Sequence, residues 1–564
     1  MHTGLLRPGT KINTLLQECK SITRRIKSQQ EPKSWHGKCG EFFPPKVVAD
    51  QLLHLYITKF EPFYRIIHIP SIKAEYESHW QNPSMTDTFQ ILKIQLCLAL
   101  GCYLYDDEFS LRKYVARWIH ESKMAMVILG KPPSGILGMQ LLCLLHIARR
   151  HYKGKEGAPA WISGGTLYQA ALYMGLHLDP SALPTLSTFE TEMRRRLWAT
   201  TLELQLDSSL DTGTSPLTSF DGHDCQPPSN INDDQLDPEA HIEPIVSSDG
   251  AFTDVSLQLL YHQSFNLRLK ILKILNNTRY HAPYEEIIQL TSELNDASQT
   301  LRSRLNSYGS SISDFQRRWV EILLRRYFTL LHVPYMQLAM KNPLYYFSRK
   351  VCVDNAIQLC YEFTPSINSE KTLEALRAAA NIDSPCDEIP RLSYCTASHA
   401  RVYPLACINI ISAELSMLLA ENPQVSRKMA KSQEYLGLSG NLQVVQLHAL
   451  LRGALRNGKC RLKAAQPDVK LYVHMAALLA EIEATLNKSV PELLMNERAA
   501  EALIDAKMTL QPYLENDETC SGTHMNLSET LYEPHVTNND SSFWLDQIQG
   551  INWEDFNPSS GHSL

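Results

Sequence analysis

Apolar residues recur at helical spacing along most of the chain, and the breaks in that spacing mark its elements. Between 317 and 360, Trp319, Ile322, Leu323, Leu330 and Val333 form one stripe. Pro334 falls inside it. A helix should kink or end there, because proline lacks an N–H and its ring crowds the carbonyl four residues back. Asn342-Pro343 is a firmer stop, and a second helix should run from about 344 to 362. Tyr345, Tyr346 and Phe347 gather at the junction, which reads as a packing corner between two long helices.

The same spacing predicts a short amphipathic helix over 11–28, with Ile12, Leu15, Leu16, Cys19, Ile22 and Ile26 on one face. Lys20, Arg24, Arg25 and Lys27 lie opposite. About two heptads is marginal for an independent coiled coil, so the face either docks on the body or forms a dimer seam. A helix starting at Pro45 carries Val48, Leu52, Leu55, Tyr56 and Phe60, and Pro62 should end it. A Ser71-capped helix should follow, ending near Trp80. Helical segments continue at about 86–105, 110–129, 136–152, 158–177 and 189–211, broken by Gly130, Pro132-Pro133, Gly154 and Gly175. From 212 to 251 the pattern dissolves into a turn-rich loop, longer than compact connections usually are. It returns at about 253–276, 283–307, 312–341 and 344–363, then near 396–420, 440–458, 467–487 and 494–513. No stretch alternates strongly enough to predict a sheet. The expected fold class is all-α, a multi-helix array with a short basic N-terminal helix and a disordered acidic C-terminal tail.

Charge sharpens the two ends. The 564 residues carry a net charge of −6, against a surface that is basic throughout. Yet residues 1–50 hold nine Lys or Arg against four acids, while 511–564 hold nine acids and no Lys or Arg. In that tail Phe543, Trp544, Leu545, Ile548, Ile551, Trp553 and Phe556 are mixed with Asp540, Asp546, Glu554 and Asp555. Acidic-aromatic mixing is a signature of activation segments that fold into a partner groove. Such tryptophans also serve simply to dock a tail on its body. Thirteen cysteines, an odd number scattered through helical patterns with no Cys-x-x-Cys, suit reduced buried thiols. No apolar run follows the N-terminal basic residues, and 89–105 is interrupted by Lys93 and Gln95. The expectation is an intracellular chain without a membrane span.

Catalytic chemistry finds little support. Asp233-Asp234-Gln235-Leu236-Asp237 matches the DDxxD that holds Mg²⁺-diphosphate in all-α prenyl-diphosphate enzymes. Here it lies between Pro227-Pro228-Ser229-Asn230 and Pro238, in loop chemistry, and no second metal motif follows. His223, Asp224 and Cys225 are contiguous and lack a second cluster. His146 and His332 sit in helical patterns and read as satisfied helix histidines. Arg194-Arg195-Arg196 fan around one helix, as a solvated or acid-paired face.

Several less common motifs, in order, resemble the middle homology region of fungal Zn(II)₂Cys₆ binuclear-cluster transcription factors. They are FEPFYRIIHIP at 60–70 with Arg65, His68 and Pro70, and then 76–83. AALYMGLHLDP at 170–180 carries Gly175 and Asp179, and EMRRRLW at 192–198 carries Arg195, Arg196 and Trp198. The loop 224–236 holds Asp224, Pro228, Asn230 and Asp233, and the corner 326–352 holds His332, Pro334 and Arg349. The resemblance spans about 45–422 and implies a helical regulatory body in which these residues are structural. Relatives bind DNA through six cysteines sharing two zinc ions. Only Cys19 and Cys39 precede the helical region here, so zinc is expected only with a six-cysteine cluster upstream, and DNA recognition transfers to no residue of this chain.

The expected organisation is a basic linker and short helix (1–44), a regulatory middle homology region (45–422), a helical extension (423–514) and an acidic-aromatic activation segment (515–564). The resemblance implies a nuclear transcriptional regulator of a biosynthetic or catabolic gene cluster, and not an enzyme. Its partners would be the transcription machinery or a co-regulator, with DNA reached indirectly, through a missing module, a dimer or a DNA-bound partner. The prenyl-diphosphate enzyme and a non-nuclear interaction protein are the alternatives.

Overall fold

A computed structural model describes residues 11–29, 40–128, 135–152, 160–183, 186–238, 246–248, 250–336, 338–363, 388–396, 399–421, 442–466, 468–487 and 489–515. Among them the regular structure is helical, with no strand. The chain divides into two compact units: 31–335 with 396–399, and 1–30 with 336–395 and 400–564. The division falls at the proline-rich corner, inside the span 45–422.

The first described helix, α1 (Lys11–Gln29), belongs to the second of these units. The first unit begins with α2 (Lys46–Leu55), which runs through a π-helical turn, Tyr56–Phe60, into α3 (Glu61–Tyr64). Pro62 therefore does not end the helix. The widened turn lets the Glu61 amide reach the Tyr56 carbonyl, so Pro62 enters as a first-turn residue whose missing N–H costs nothing. The reversal comes at Arg65, in the left-handed region at φ 47°. Next is α4 (Ile69–Gln81), whose cap is His68. Ser71 does not cap it; its hydroxyl lies 2.7 Å from His68 Nδ1.

At the centre of this unit lies α5 (Thr88–Tyr105), buried from Ile91 to Leu104. Contrary to the expectation from sequence, it is long and apolar enough to cross a membrane, but most of it is enclosed by protein. Asp87 caps it by accepting the Phe89 amide at 2.9 Å. Its Gly101 lets α2 approach closely: a Cβ there would stand 2.2 Å from the Leu52 carbonyl oxygen. Helices α6 (Arg112–Ile128) and α7 (Gly135–His151) pack on it, and α8 (Ala160–Tyr173) and the 25-residue α9 (Thr188–Thr212) pack on α7 and on each other. Helix α9 begins in a reciprocal Ser187–Glu190 capping box and ends at Gly213, φ 66°. The unit closes with α10 (Ser256–His262), α11 (Phe265–Leu275), α12 (Tyr284–Ser307) and α13 (Asp314–Met336). Helix α13 passes Pro334 and stops at Met336, short of the 341 expected.

The second unit holds α14 (Tyr346–Glu362), α15 (Glu388–Cys395), α16 (His399–Glu421), α17 (Leu442–Lys463), α18 (Val469–Asn487), α19 (Pro491–Leu510) and the single turn α20 (Pro512–Glu515). Helix α1 packs on α19, and Ile12, Leu16, Cys19 and Ile26 share one core with Leu462, Tyr472, Leu503 and Leu510. Glu18 pairs with Lys507 at 2.8 Å beside it. The apolar face of α1 is thus a docking face filled from within the chain. Tyr346 and Phe347 are exposed, so the corner is not a packed one. Helix α14 buries Ser348, Cys352, Val353, Ala356 and Leu359, and the first-turn aromatics fall on the other side.

All ten described cysteines are free thiols and nine are buried. The acidic-aromatic residues Phe543 to Phe556, including Trp544, Leu545, Ile548, Ile551 and Trp553, lie outside the described residues.

Candidate functional site: a charged seam along α9

Charged residues rarely enter a helical core unless paired. On α9, Glu192, Arg196, Thr200, Glu203 and Asp207 are buried at steps of three and four, and Asp211 extends the row. That spacing places all of them on one face. Along its length the row meets several different elements.

At the N-terminal end, Asp233 is the hub. Its carboxylate accepts Arg65 Nη2 and, at 2.6 Å, Arg196 Nη1, and its second oxygen accepts the Ile69 amide at 2.8 Å. His68 Nε2 lies 2.8 Å from the Asp233 carbonyl oxygen, and Asp254 accepts the Asp233 amide at 2.9 Å. Burial alone would raise the Asp233 carboxyl; Arg65 and Arg196 overcome it and hold the group at about 2. Glu192 accepts the Ser229 amide at 2.9 Å and flanks Arg196 Nε at 3.6 Å. Gln258 donates to the Arg196 carbonyl at 3.0 Å, closing α10 over the seam. Close by, Glu61 is wholly buried; it accepts Tyr56 OH at 2.5 Å and the Ile67 amide at 2.9 Å. Burial pushes it up to about 7, despite the nearby Arg65.

The three consecutive arginines do separate jobs because successive residues point about 100° apart. Arg194 donates to the carbonyls of Met174 and Gly175 at 2.9 and 3.0 Å, satisfying the C-terminal end of α8. Gly175 adopts φ 68° to turn the chain there. Arg195 forks onto Asp179 at 2.9 and 3.1 Å. Asp179 also takes the Gln226 amide at 2.8 Å, and its own amide donates to Asp224 at 2.8 Å. Burial opposes ionisation of Asp179, but Arg195, the Ser181 hydroxyl and the amides of Gln226 and Ser181 hold it well below the ordinary range. Arg196 is fully buried. The face is therefore acid-paired, and the solvated reading fails because each guanidinium has a fixed carboxylate or carbonyl partner.

Further along, Arg268 of α11 forks onto Glu203 at 2.6 and 2.7 Å and stacks 3.9 Å from the Tyr261 ring. Asp207 joins Arg150 of α7 at 3.1 Å and Arg326 of α13 at 2.7 Å. Arg150 also holds Asp211 at 2.6 Å. None of Arg150, Glu203, Asp207, Asp211 and Arg268 was singled out from sequence. The available signal was the 3–4 spacing of acids on one helix, which ordinarily marks a wet face.

The remaining motif residues take structural places. Pro228 is buried, Pro70 is an exposed first-turn proline, and Asn230 donates to the carbonyls of Ser248 and Ala251 at 3.0 and 3.1 Å. Trp198 is buried between Tyr168 and His223, with ring centroids at 5.9 and 5.4 Å. His332 is buried, 2.8 Å from Thr291 Oγ1, and burial lowers it to about 4. His146 is similarly held, 2.9 Å from Ser163 Oγ, and lowered to about 3. In the second unit Arg349 forks onto Glu414 at 2.8 and 3.2 Å. Three of the six motifs (60–70, 170–180 and 224–236) thus converge on α9, which carries 192–198 itself, and 326–352 reaches it through Arg326 before running into the second unit, while 76–83 lies in and just after α4. The DDxxD match dissolves in this geometry. Asp233 is occupied by two arginines and an amide, whereas Asp234 and Asp237 are exposed, so the three carboxylates do not converge on a metal.

Residues 53–330, which enclose the whole seam, match the fungal specific transcription factor domain. The chain carries this domain. It is 33% identical over 364 residues to Transcription factor opdR of Penicillium oxalicum, covering 62% of this chain and 46% of that protein. It is 28% identical over 505 residues to Transcription factor lepE of Aspergillus flavus, covering 86% and 58%. It is 29% identical over 359 residues to the Aspyridones cluster regulator apdR of Emericella nidulans, covering 58% and 43%. The chain spans about half the length of the curated relatives it matches. No solved structure matches. The domain and the relatives it is shared with are those of transcription factors, and the seam is part of the domain's framework.

Proposed function

We propose that this chain is a nuclear transcriptional regulator of a gene cluster for a secondary metabolite, acting through protein contacts. The observation that carries the reading is the domain at 53–330, whose motif residues are consumed in internal pairing. Such a body receives a signal or a partner. The names of similar proteins, including a cluster regulator, support the pathway class. The acidic-aromatic segment 515–564 recruits the transcription machinery or a co-regulator. DNA is reached through a six-cysteine zinc module encoded upstream or through a DNA-bound partner.

Two measurements test this reading. Residues 515–564 fused to a heterologous DNA-binding domain should drive a reporter, and Trp544→Ala with Trp553→Ala should silence it. A silent wild-type fusion removes the recruiting role. Deleting the gene should lower transcripts of one biosynthetic cluster; unchanged transcripts under producing conditions remove the pathway assignment.

A further inference from the structure

The turns that lead into α14 at the start of the second unit were expected to be packed, and their exposure calls for an occupant. In the second unit two 3₁₀ turns, Leu338–Met340 and Pro343–Tyr345, fold against each other and against the start of α14. They present Leu338, Leu344, Tyr346 and Phe347 at 46, 61, 59 and 44% exposure. Leu338, Leu344 and Tyr346, three large side chains exposed within one short stretch, form a patch of the kind that marks an interaction site. Two contacts hold this stretch: Asn342 accepts the Leu344 amide at 3.0 Å, and Arg349 donates to Glu414 at 2.8 Å. Arg349 lies 5.8 Å from the Tyr346 ring. Lys341 and Lys350, both exposed, flank the aromatics, and the stretch 338–350 contains no acid. The partner chemistry is therefore apolar-aromatic with negative charge.

We propose that this corner is the docking surface for the chain's own acidic-aromatic segment, 543–556. The segment supplies the complement: Trp544, Ile548 and Ile551 fall at i, i+4 and i+7, the spacing of groove-docking helices, with Asp546, Glu554 and Asp555 beside them. The last described residue before it, Glu515, ends α20 in the same unit as the corner. A tether from 515 to 543 has a root-mean-square reach of about 30 Å if flexible. A unit of roughly 200 residues has a radius of gyration near 16 Å and is about 40 Å across, so the tether reaches over much of its surface. Tethering gives an effective concentration of about 1 mM. A contact with Kd about 100 µM between separate molecules is then about nine-tenths closed within one chain. This contact stands whether or not the segment recruits transcription machinery.

Hydrogen exchange on the full chain tests it. Amides of 543–556 should exchange about tenfold faster in Leu344→Glu/Tyr346→Glu than in the wild type. Both substituted side chains are already exposed, so the fold survives, and the thermal melt checks this. Reciprocally, Trp544→Ala/Ile548→Ala should speed exchange at 338–350, and high salt should weaken the protection. Equal exchange of 543–556 in the wild type and the corner variant overturns the proposal. So does protection that rises with protein concentration, which assigns the occupant to a second copy, or corner protection that persists in the tail variant, which assigns it to another segment.

Discussion

Replacing Asp233 with alanine strands two guanidiniums in the core of the first unit. Arg65 and Arg196 are 1% and 0% exposed, and Asp233 lies against both. Removing one partner of a buried ion pair costs about 3–5 kcal/mol. The Ile69 amide also loses its acceptor, adding about 1–3 kcal/mol. Glu192, at 3.6 Å from Arg196 Nε, offsets part of this, leaving a loss of about 5 kcal/mol. For a roughly 300-residue unit the unfolding entropy near Tm is about 0.6 kcal/mol/K, so Tm should fall by about 8 °C at pH 7. Differential scanning calorimetry reads this directly, with Asp234→Ala as the control. Asp234 is exposed, and its removal should cost no more than about 0.5 kcal/mol. The pH dependence has a definite sign. Asp233 titrates at about 2 in the fold and near 3.9 unfolded, so its stabilisation is complete above about pH 4. The difference between wild type and Asp233→Ala should shrink as pH falls from about 4 towards 2. An Asp233→Ala protein melting within 2 °C of its Asp234→Ala control refutes the hub.

Glu61 carries the opposite slope. Burial raises it to about 7, so the folded state keeps a proton that the unfolded chain sheds, and its contribution falls as pH rises from about 4.5 to 7. Measured against Glu61→Gln, wild-type stability should drop by about 3 kcal/mol over that window, and a rise instead would reject the assignment. Gly101→Ala places a Cβ 2.2 Å from the Leu52 carbonyl; the forced shift should cost about 1–3 kcal/mol in urea unfolding, despite alanine's better helix propensity. A neutral result would mean that α2 and α5 do not approach so closely. Leu16→Ala on α1 should cost about 2–5 kcal/mol and expose α1 amides to exchange. Sedimentation velocity should show no change in mass, since a dimer dissociating would restore the seam reading of that helix. Glu203→Leu should cost about 3–5 kcal/mol, while Glu203→Leu with Arg268→Met should recover most of it; a double variant worse than the single contradicts a paired, dry seam.

The helical skeleton was legible because apolar spacing is a local property. The π turn at Tyr56–Phe60 was not, since it depends on how the backbone accommodates Pro62, and periodicity alone places a stop there. Polar residues were legible only in part: His146 and His332 read as satisfied helix histidines, and Arg194–Arg196 as a solvated or acid-paired face. Arg196, Glu203 and Asp207 have the charge and spacing of a solvated helix face, and nothing nearby in sequence says otherwise. Their partners lie far along the chain: Asp233 for Arg196, Arg268 for Glu203, and Arg150 and Arg326 for Asp207. The corner misled the other way, because adjacent aromatics imply a core until α14 is seen to turn its buried face from them.

A dry charge network is a poor source of net stability, since desolvation consumes most of the Coulomb gain. What it supplies is discrimination. Sliding α9 by one turn would move Glu203 and Asp207 past Arg268 and Arg326 and strand several buried charges at about 3–5 kcal/mol each. A purely apolar seam of leucines would resist the same slip far less, since cores tolerate hydrophobic rearrangement. The network thus fixes one register for α9 against α7, α10, α11 and α13. It also ties three segments distant in sequence, at 60–70, 175–180 and 224–236, to that single helix. Coupling through such a body requires elements that have discrete arrangements and do not deform continuously. Helix α9, pinned by charge at most of its steps, is held to one such arrangement.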